Sequence, residues 1–173
     1  MHDYYRNMNC YCGSQQTYKQ CCELIIKGIN IAETPEQLMR SRYSAYAAMI
    51  PQYIYATYAE STRKSQSLNE ITLWAQQTSW LKLTVLSSEH ITIKQFTSQT
   101  KPVLPYVHFQ ALYFDSQHFC LMEEKSRFLI ENDQWRYLDG DIIEHSNLPT
   151  PKRNAPCLCL SGKKFKHCCA LFV

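Results

Sequence analysis

The same cysteine pattern occurs near both ends of the chain and constrains its fold more than any other feature. Each copy has the spacing C-x-C-x8-C-C, and the two copies use eight of the nine cysteines: Cys10, Cys12, Cys21 and Cys22, then Cys157, Cys159, Cys168 and Cys169. Four thiols are the number that a tetrahedral zinc ion needs for a closed all-cysteine site. A segment this short cannot fold alone, so a metal supplies the missing free energy. The pattern predicts two structural zinc sites flanking a larger domain.

The two copies match at further positions. The matching pairs are Asn7 with Asn154, Ser14 with Ser161, and Tyr18-Lys19 with Phe165-Lys166. The C-x-C half of each copy predicts a tight turn, and the second half predicts one or two helical turns that bring the last two thiols back. We expect the aromatic residue of each copy to pack beneath the metal as a small core.

Two other uses of the cysteines stay open at this point. Four cysteines per cluster can form two disulfides, and nine are ordinary in a secreted chain. However, residues 1–7 are polar and show no apolar stretch of the kind found in signal peptides. We therefore expect a reducing, cytoplasmic location, with iron–sulfur ligation as the minor alternative to zinc.

The C-terminal copy resembles a known metal-binding element. The segment CLCLSGKKFKHCC, residues 157–169, is similar to the SEC-C motif at the end of the bacterial translocation motor SecA. That motif often has glycine after the second cysteine and again after the serine. Each copy here keeps one of them, because Gly13 corresponds to Leu160 and Gln15 to Gly162. Glycine relaxes a tight turn, so these replacements bear on loop shape rather than on metal binding. The last ligand is cysteine where SecA-type motifs have histidine.

Charge distinguishes the two ends. The formal charge is +3, and residues 149–173 contribute five basic residues and no acidic one. A zinc ion with four thiolates carries a formal charge of about −2, which leaves the C-terminal segment basic and makes the N-terminal one weakly acidic. Lys163 and Lys164 are therefore candidate contacts for an acidic protein surface. The SecA element contacts an export chaperone and ribosomes, and this resemblance implies a similar partner. Nucleic-acid binding is the weaker alternative.

The middle of the chain has the length of one domain. We place the boundaries at 1–24 for the N-terminal zinc motif, 25–148 for the central domain, and 149–173 for a linker and the C-terminal motif. No apolar run approaches the roughly 18 residues of a membrane span. Helix signals are found at 34–50, 52–58 and 67–77, and strand signals at 81–85, 91–93, 106–114, 119–130 and 135–137, before a predicted turn at Asp139-Gly140. Helices followed by antiparallel strands predict an α+β fold.

Two segments extend the resemblance to the whole chain. The sequence PEQLMRSRYSAY, residues 35–46, resembles the signature of the bacterial YchJ family, and residues 124–128 and 135–140 resemble its C-terminal half. That family combines terminal SEC-C motifs with a domain like nuclear transport factor 2. The resemblance implies a cone-shaped, cystatin-like fold in which a curved antiparallel sheet and N-terminal helices enclose a pocket. It implies no established reaction, and Glu123 stands where histidine is expected.

Several polar residues are candidates for the wall of that pocket. They are Arg40, Arg42, Tyr43, His108, Glu124, Ser126 and Asp139. Arg42 lies on the apolar stripe of the first long helix, where a charge needs a partner, so we predict an ion pair with Glu124 or Asp139. His108 is expected to be an ordinary sheet residue, and Cys120 to be buried and inert.

These patterns favour a zinc-dependent interaction or adaptor module over an enzyme. Closed metal sites hold shape and present a surface without catalysing a reaction. The alternative is a small-ligand binder or enzyme that uses the central pocket. The sequence assigns no catalytic residue, names no partner and leaves the oligomeric state open.

Overall fold

The computed structural model describes residues 9–100 and 103–171. Six α-helices lie in the described part: α1 (Cys22–Ile26), α2 (Pro35–Ala47), α3 (Pro51–Ala56), α4 (Glu60–Arg63), α5 (Leu68–Gln77) and α6 (Ile93–Thr97). The four strands described there are β1 (Ser79–Ser88), β2 (Tyr106–Phe114), β3 (Phe119–Glu131) and β4 (Gln134–Leu148). All pairs are antiparallel and the sheet order is β1-β2-β3-β4. The predicted α+β class with a curved antiparallel sheet is confirmed.

Local capping signals explain where the helices begin. The side chain of Thr34 accepts the backbone N–H of Gln37 and Pro35 is the first residue of α2, and proline suits that position because its nitrogen has no proton to donate. Ser67 caps α5 in the same way by accepting the N–H of Glu70. These beginnings agree with the sequence-based prediction because the signals are contained within a few residues.

The strand predicted around Ile91 and Ile93 is wrong. Thr92 and Gln95 form a reciprocal capping box, and the short helix α6 follows. Alternation over three residues cannot distinguish a strand from a helix, and the capping box decides the outcome. The helix buries Phe96 against Trp135, with ring centroids 5.2 Å apart.

The turn predicted at Asp139-Gly140 is also wrong, because β4 continues through it to Leu148. Gly140 pairs with Ser126 of β3, so it lies in the middle of the β-hairpin. A Cβ atom at this position would overlap the Glu124 side chain, with the carboxyl carbon 2.6 Å away. The glycine therefore marks a close approach between a side chain and a backbone rather than a turn.

The main core lies between α2 and one face of the sheet. Its members on the sheet include Val107, Phe109, Phe128 and Trp135, and those on the helix are Leu38, Met39 and Tyr43. Val107 and Phe109 alternate with the half-buried His108 on β2, which places the histidine on the opposite face of the sheet. The indole N–H of Trp135 donates to the carbonyl of Glu33, 3.0 Å away, which ties β4 to the segment before α2.

In the part of the chain that the structure describes, no helix combines the length and apolar character needed to cross a bilayer.

Replacing Gly140 with alanine should destabilise the fold by about 1–3 kcal/mol, the usual cost of overpacking a core. The added methyl displaces Glu124 from its hydrogen bonds with Ser126 and Tyr137. Thermal unfolding should show a fall in Tm of several degrees. In a Glu124→Ala background the same replacement should cost much less, because the overlapping carboxylate is gone. Equal losses in both backgrounds would refute the explanation.

Candidate metal centres and the central pocket

The N-terminal cysteine cluster has the dimensions of a site for one metal ion. Its four sulfurs all lie within 4.8 Å of one another, with Cys12 Sγ and Cys21 Sγ 3.7 Å apart and Cys21 Sγ and Cys22 Sγ 3.8 Å apart. Zinc–sulfur bonds of about 2.3 Å in a tetrahedron place the sulfurs about 3.8 Å apart. A cluster of several irons binds cysteines on different iron atoms and would separate them further, so the geometry fits a single ion.

The C-terminal cluster repeats this geometry. Cys159 Sγ lies 3.5 Å from Cys157 Sγ and 3.4 Å from Cys168 Sγ, and its four sulfurs also lie within 4.8 Å of one another. All nine cysteines belong to the described residues and all are free thiols. The disulfide alternative is therefore wrong, and both clusters can hold a metal ion.

The two copies share their backbone hydrogen bonds one by one. The N–H of Cys10 donates to the carbonyl of Gln16, and the N–H of Cys157 donates to the carbonyl of Lys163. A short antiparallel bridge precedes the 3-10 turn in each copy, Asn9 with Thr17 and Pro156 with Lys164. The 3-10 turns are Tyr18–Gln20 and Phe165–His167, as the expected helical turns require. In both copies the serine hydroxyl lies close to the sulfur of the third cysteine, at 3.3 Å for Ser14 and Cys21 and 3.1 Å for Ser161 and Cys168.

The loop keeps its shape although the glycines differ. Gly13 and its counterpart Leu160 have φ values of 76° and 57°, and Gln15 and its counterpart Gly162 have 64° and 77°. Both positions are therefore left-handed in both copies. A residue with a side chain pays about 1–3 kcal/mol for this conformation, so Gln15 and Leu160 hold strain that glycine would not.

The N-terminal cluster is part of the core of the central domain. Cys10, Cys12 and Cys22 are buried in the same cluster as the α2 side chains. Arg40 of α2 donates to the carbonyl of Cys12 at 2.7 Å while pairing with Glu36, also at 2.7 Å. The sequence made Arg40 a candidate for the pocket, but it instead connects the loop of the N-terminal cysteine cluster to α2.

The C-terminal cluster packs against a different part of the sheet. Phe165 lies beneath it and contacts Phe119 at the start of β3, with ring centroids 5.6 Å apart. Their cluster is separate from the main core. This is the small aromatic core expected from the sequence, completed by a residue of the central domain.

Several thiols of the two clusters have shifted pKa values. Hydrogen bonds with the thiols of Cys10 and Cys22 lower the pKa of Cys12, whereas those with the thiols of Cys10 and Cys12 raise the pKa of Cys22. Burial raises the pKa of Cys159, but hydrogen bonds from Ser161 and Cys168 outweigh it and bring the pKa down to about 7. One thiol in each cluster is thus favoured as the thiolate that a metal ligand requires.

A cavity of about 120 Å³ lies between α2 and the sheet. Of the seven pocket candidates, Arg42, Tyr43, Glu124 and Ser126 line it. Arg40 binds the loop of Cys12 instead, and the other two also lie elsewhere: Nε2 of His108 pairs with Glu123 at 2.7 Å, and Asp139 pairs with Nε of Arg127 at 2.6 Å.

The ion pair predicted for Arg42 is wrong. Among the described residues it has no carboxylate within 4 Å. Its Nη1 donates to the carbonyl of Ile54 at 2.7 Å and to the hydroxyl of Thr57 at 2.6 Å. The guanidinium lies over the rings of Tyr58 and Tyr137, 4.4 and 4.6 Å from their centroids. Aromatic faces and neutral acceptors stabilise the buried charge in place of an anion.

Glu124 is held by two hydroxyl groups. Its Oε1 accepts from Ser126 at 2.5 Å and from Tyr137 at 2.9 Å. Burial and the neighbouring charge of Glu124 raise the pKa of Tyr137, so this phenol stays a hydrogen-bond donor at neutral pH. Tyr137 thus contacts both buried charges, Arg42 with its ring and Glu124 with its hydroxyl.

Tyr46, Trp74 and Trp80, which no sequence pattern indicated, form much of the cavity wall, and Tyr113 packs behind them. Trp80 lies between Tyr46 and Tyr113, with centroids 5.2 and 5.3 Å away, and Trp74 contacts its edge. They come from α2, α5, β1 and β2, so no local sequence pattern connects them.

Cys120 is buried as expected, and burial together with Asp115 raises the pKa of its thiol to about 11.

The comparisons with known proteins agree with this architecture. Residues 34–140 match the family model described as the YchJ middle domain, which is NTF2-like, and residues 6–24 and 153–171 match the SEC-C motif. A solution structure of a SEC-C motif containing protein from Rhodopseudomonas palustris aligns with a TM-score of 0.67 and 30% identity, over 79% of this chain and 100% of that one. A crystal structure of another, from Psychrobacter arcticus, aligns with a TM-score of 0.66 and 25% identity, over 98% and 99%. The chain is thus an NTF2-like domain carrying two SEC-C motifs.

Two curated relatives are similar to this chain over nearly its whole length. A UPF0225 protein of Vibrio cholerae serotype O1 is 40% identical over 94% of this chain and 99% of its own length. A UPF0225 protein of Vibrio parahaemolyticus is 37% identical over 93% and 98%. The chain belongs to the YchJ family.

Replacing Leu160 with glycine should stabilise the C-terminal module by about 1 kcal/mol, because it removes the left-handed strain. The side chain is 76% exposed, so little packing is lost. Gly162→Ala should destabilise the module. Open space surrounds its Cβ position, so the cost comes only from the left-handed backbone conformation. Urea unfolding of the metal-loaded protein measures both changes. A destabilised Leu160→Gly variant would contradict the strain argument.

Proposed function

We propose that the protein is a zinc-dependent interaction module of the cytoplasm, in which the C-terminal SEC-C motif completes the partner-binding surface. Four thiolates fill the coordination of a tetrahedral ion and leave no position for a substrate. The metal therefore serves to hold the module in shape. Membership of the YchJ family and the two SEC-C motifs support this role. The main structural support is a groove beside the C-terminal cluster.

The groove runs between the C-terminal module and the sheet. Its apolar lining comes from both, with Leu112 and Leu121 on the sheet, Leu148 at the end of β4, and Leu158 and Leu160 on the module. Because Leu158 and Leu160 flank Cys159, the groove keeps this lining only while the module is folded around its metal. Partner binding is therefore coupled to zinc.

Charge around the groove points to an acidic partner. Lys82 lies in its lining, and Lys163 and Lys164 are exposed on the adjacent loop. The positions that correspond to these two lysines in the N-terminal copy are Gln16 and Thr17. An acidic segment with a leucine-like side chain as anchor suits a groove of this composition.

Metal analysis tests the zinc assignment. The purified protein should contain about two zinc ions per chain and no iron. Cys12→Ser and Cys159→Ser, which change equivalent positions, should each remove one ion. Cys12 is fully buried in the main core, so its replacement should lower Tm by about 5–10 °C more than that of Cys159. Cys120→Ser serves as the control and should keep both ions. Stoichiometric iron, or equal losses of Tm, would contradict the assignment.

Affinity capture from a bacterial lysate tests the partner surface. Lys163→Gln with Lys164→Thr gives the C-terminal loop the residues of the N-terminal one. The matched control, Gln16→Glu with Thr17→Glu, makes the same change of charge on the other loop. Proteins captured by the native chain should be lost, or reduced about tenfold, in the first variant only, and high salt should weaken their capture. Equal capture by all three proteins would count against the proposed surface.

A further inference from the structure

The central cavity holds two opposite charges that do not touch. Arg42 is 7% exposed and Glu124 is 8% exposed, and both line the same space. Buried charges normally pair directly, because separation in a poorly polarisable interior is costly. Here Tyr137 lies between them, with its hydroxyl on Glu124 and its ring beneath Arg42.

Hydrogen-bonding capacity remains in this cavity. The two hydroxyl donors of Glu124 both bind Oε1, so Oε2 has no partner among the described residues. The indole Nε1 of Trp80, another lining residue, is buried and also has none. The cavity wall thus combines an acceptor with free hydrogen-bonding capacity, Oε2 of Glu124, with a buried donor that has no partner, Nε1 of Trp80. Native proteins rarely leave a buried donor unpaired, so this N–H is available to a molecule bound in the cavity.

The charges limit what can bind there. An organic cation would meet the guanidinium of Arg42, which already lies over the faces of Tyr58 and Tyr137. An anion would meet the carboxylate of Glu124. An uncharged molecule avoids both penalties and can still donate to Glu124 and accept from Trp80 or Arg42.

The size and shape of the cavity limit the choice of ligand further. The cavity volume is about 120 Å³, and an apolar cavity of roughly 150 Å³ accepts benzene. Nine of its twelve lining residues are aromatic or apolar, and three are Arg42, Glu124 and Ser126. We propose that the cavity binds a flat, uncharged single-ring molecule that carries an N–H donor beside a carbonyl acceptor, as in cyclic amides and pyrimidine bases.

Uracil is a suitable probe of this chemistry, with the zinc-loaded full-length protein observed by NMR. The indole N–H signal of Trp80 should shift on titration, with a dissociation constant on the order of 1 mM for so small a ligand. The signal of Trp135 is an internal reference, because its N–H is already bonded to Glu33. The comparison ligand 1,3-dimethyluracil keeps the ring and both carbonyls but has no N–H, and it should not bind.

Three variants separate a binding role from a structural one. Glu124→Gln should weaken uracil binding about tenfold by removing the charged acceptor. Trp80→Phe keeps an aromatic ring but removes the N–H, and should also weaken binding, as monitored by calorimetry. The control variant Glu123→Gln replaces the adjacent glutamate in the same way. Its side chain binds His108 and Gln110, so this change should leave uracil binding unchanged.

Several results would overturn the proposal. They are binding of dimethyluracil as tight as that of uracil, unchanged binding in Glu124→Gln, and a larger Trp80 response to benzylammonium, benzoate or phenylalanine than to uracil. The absence of any response to uracil at concentrations about tenfold above the expected constant would do the same. None of these results bears on the groove beside the C-terminal module, so this proposal and the proposed function fail independently.

Discussion

The fold depends on the N-terminal thiol cluster, because its cysteines belong both to a candidate metal site and to a hydrophobic core. Cys12 and Cys22 are almost completely buried beside the side chains of α2. The same helix covers the sheet and, through Arg40, binds the backbone of the metal loop. We therefore expect oxidation of these thiols to disturb the core of the central domain as well as the loop. The two SEC-C motifs have the same local structure, but only the first has this position.

Sequence reasoning succeeded where the determining interactions are local. The caps at Thr34 and Ser67 and the repeated cysteine spacing each depend on a few neighbouring residues, and all three appear in the structure. It failed where contacts between residues distant in the sequence determine the structure. Gly140 resembles a turn signal, but its missing Cβ makes room for the carboxylate of Glu124 on the neighbouring strand. Arg42 was expected to find an anion, because a single sequence does not show that Tyr58 and Tyr137 converge on its guanidinium.

The glycines of the two loops illustrate how surroundings select residues within a repeated structure. Gly13 and Leu160 have the same left-handed backbone. At Gly13 the position of a Cβ atom lies 3.9 Å from the carbonyl of Leu83, so a side chain extending beyond Cβ has to pass the edge of β1. At Leu160 the side chain is largely exposed and lines the groove. The strain at Leu160 is therefore compatible with a surface role, in which an apolar side chain at an unfavourable φ contributes to binding rather than to stability.

Tyr137 has a comparable double role in the central cavity. Its ring stabilises the charge of Arg42, its hydroxyl stabilises that of Glu124, and its backbone pairs with Thr57 and Ala59. The backbone contacts fix the ring between the two charges, which prevents them from neutralising each other directly. Because the two groups are held apart, each can contact the proposed ligand. The separation of the two charges therefore follows from the position of one aromatic residue on β4.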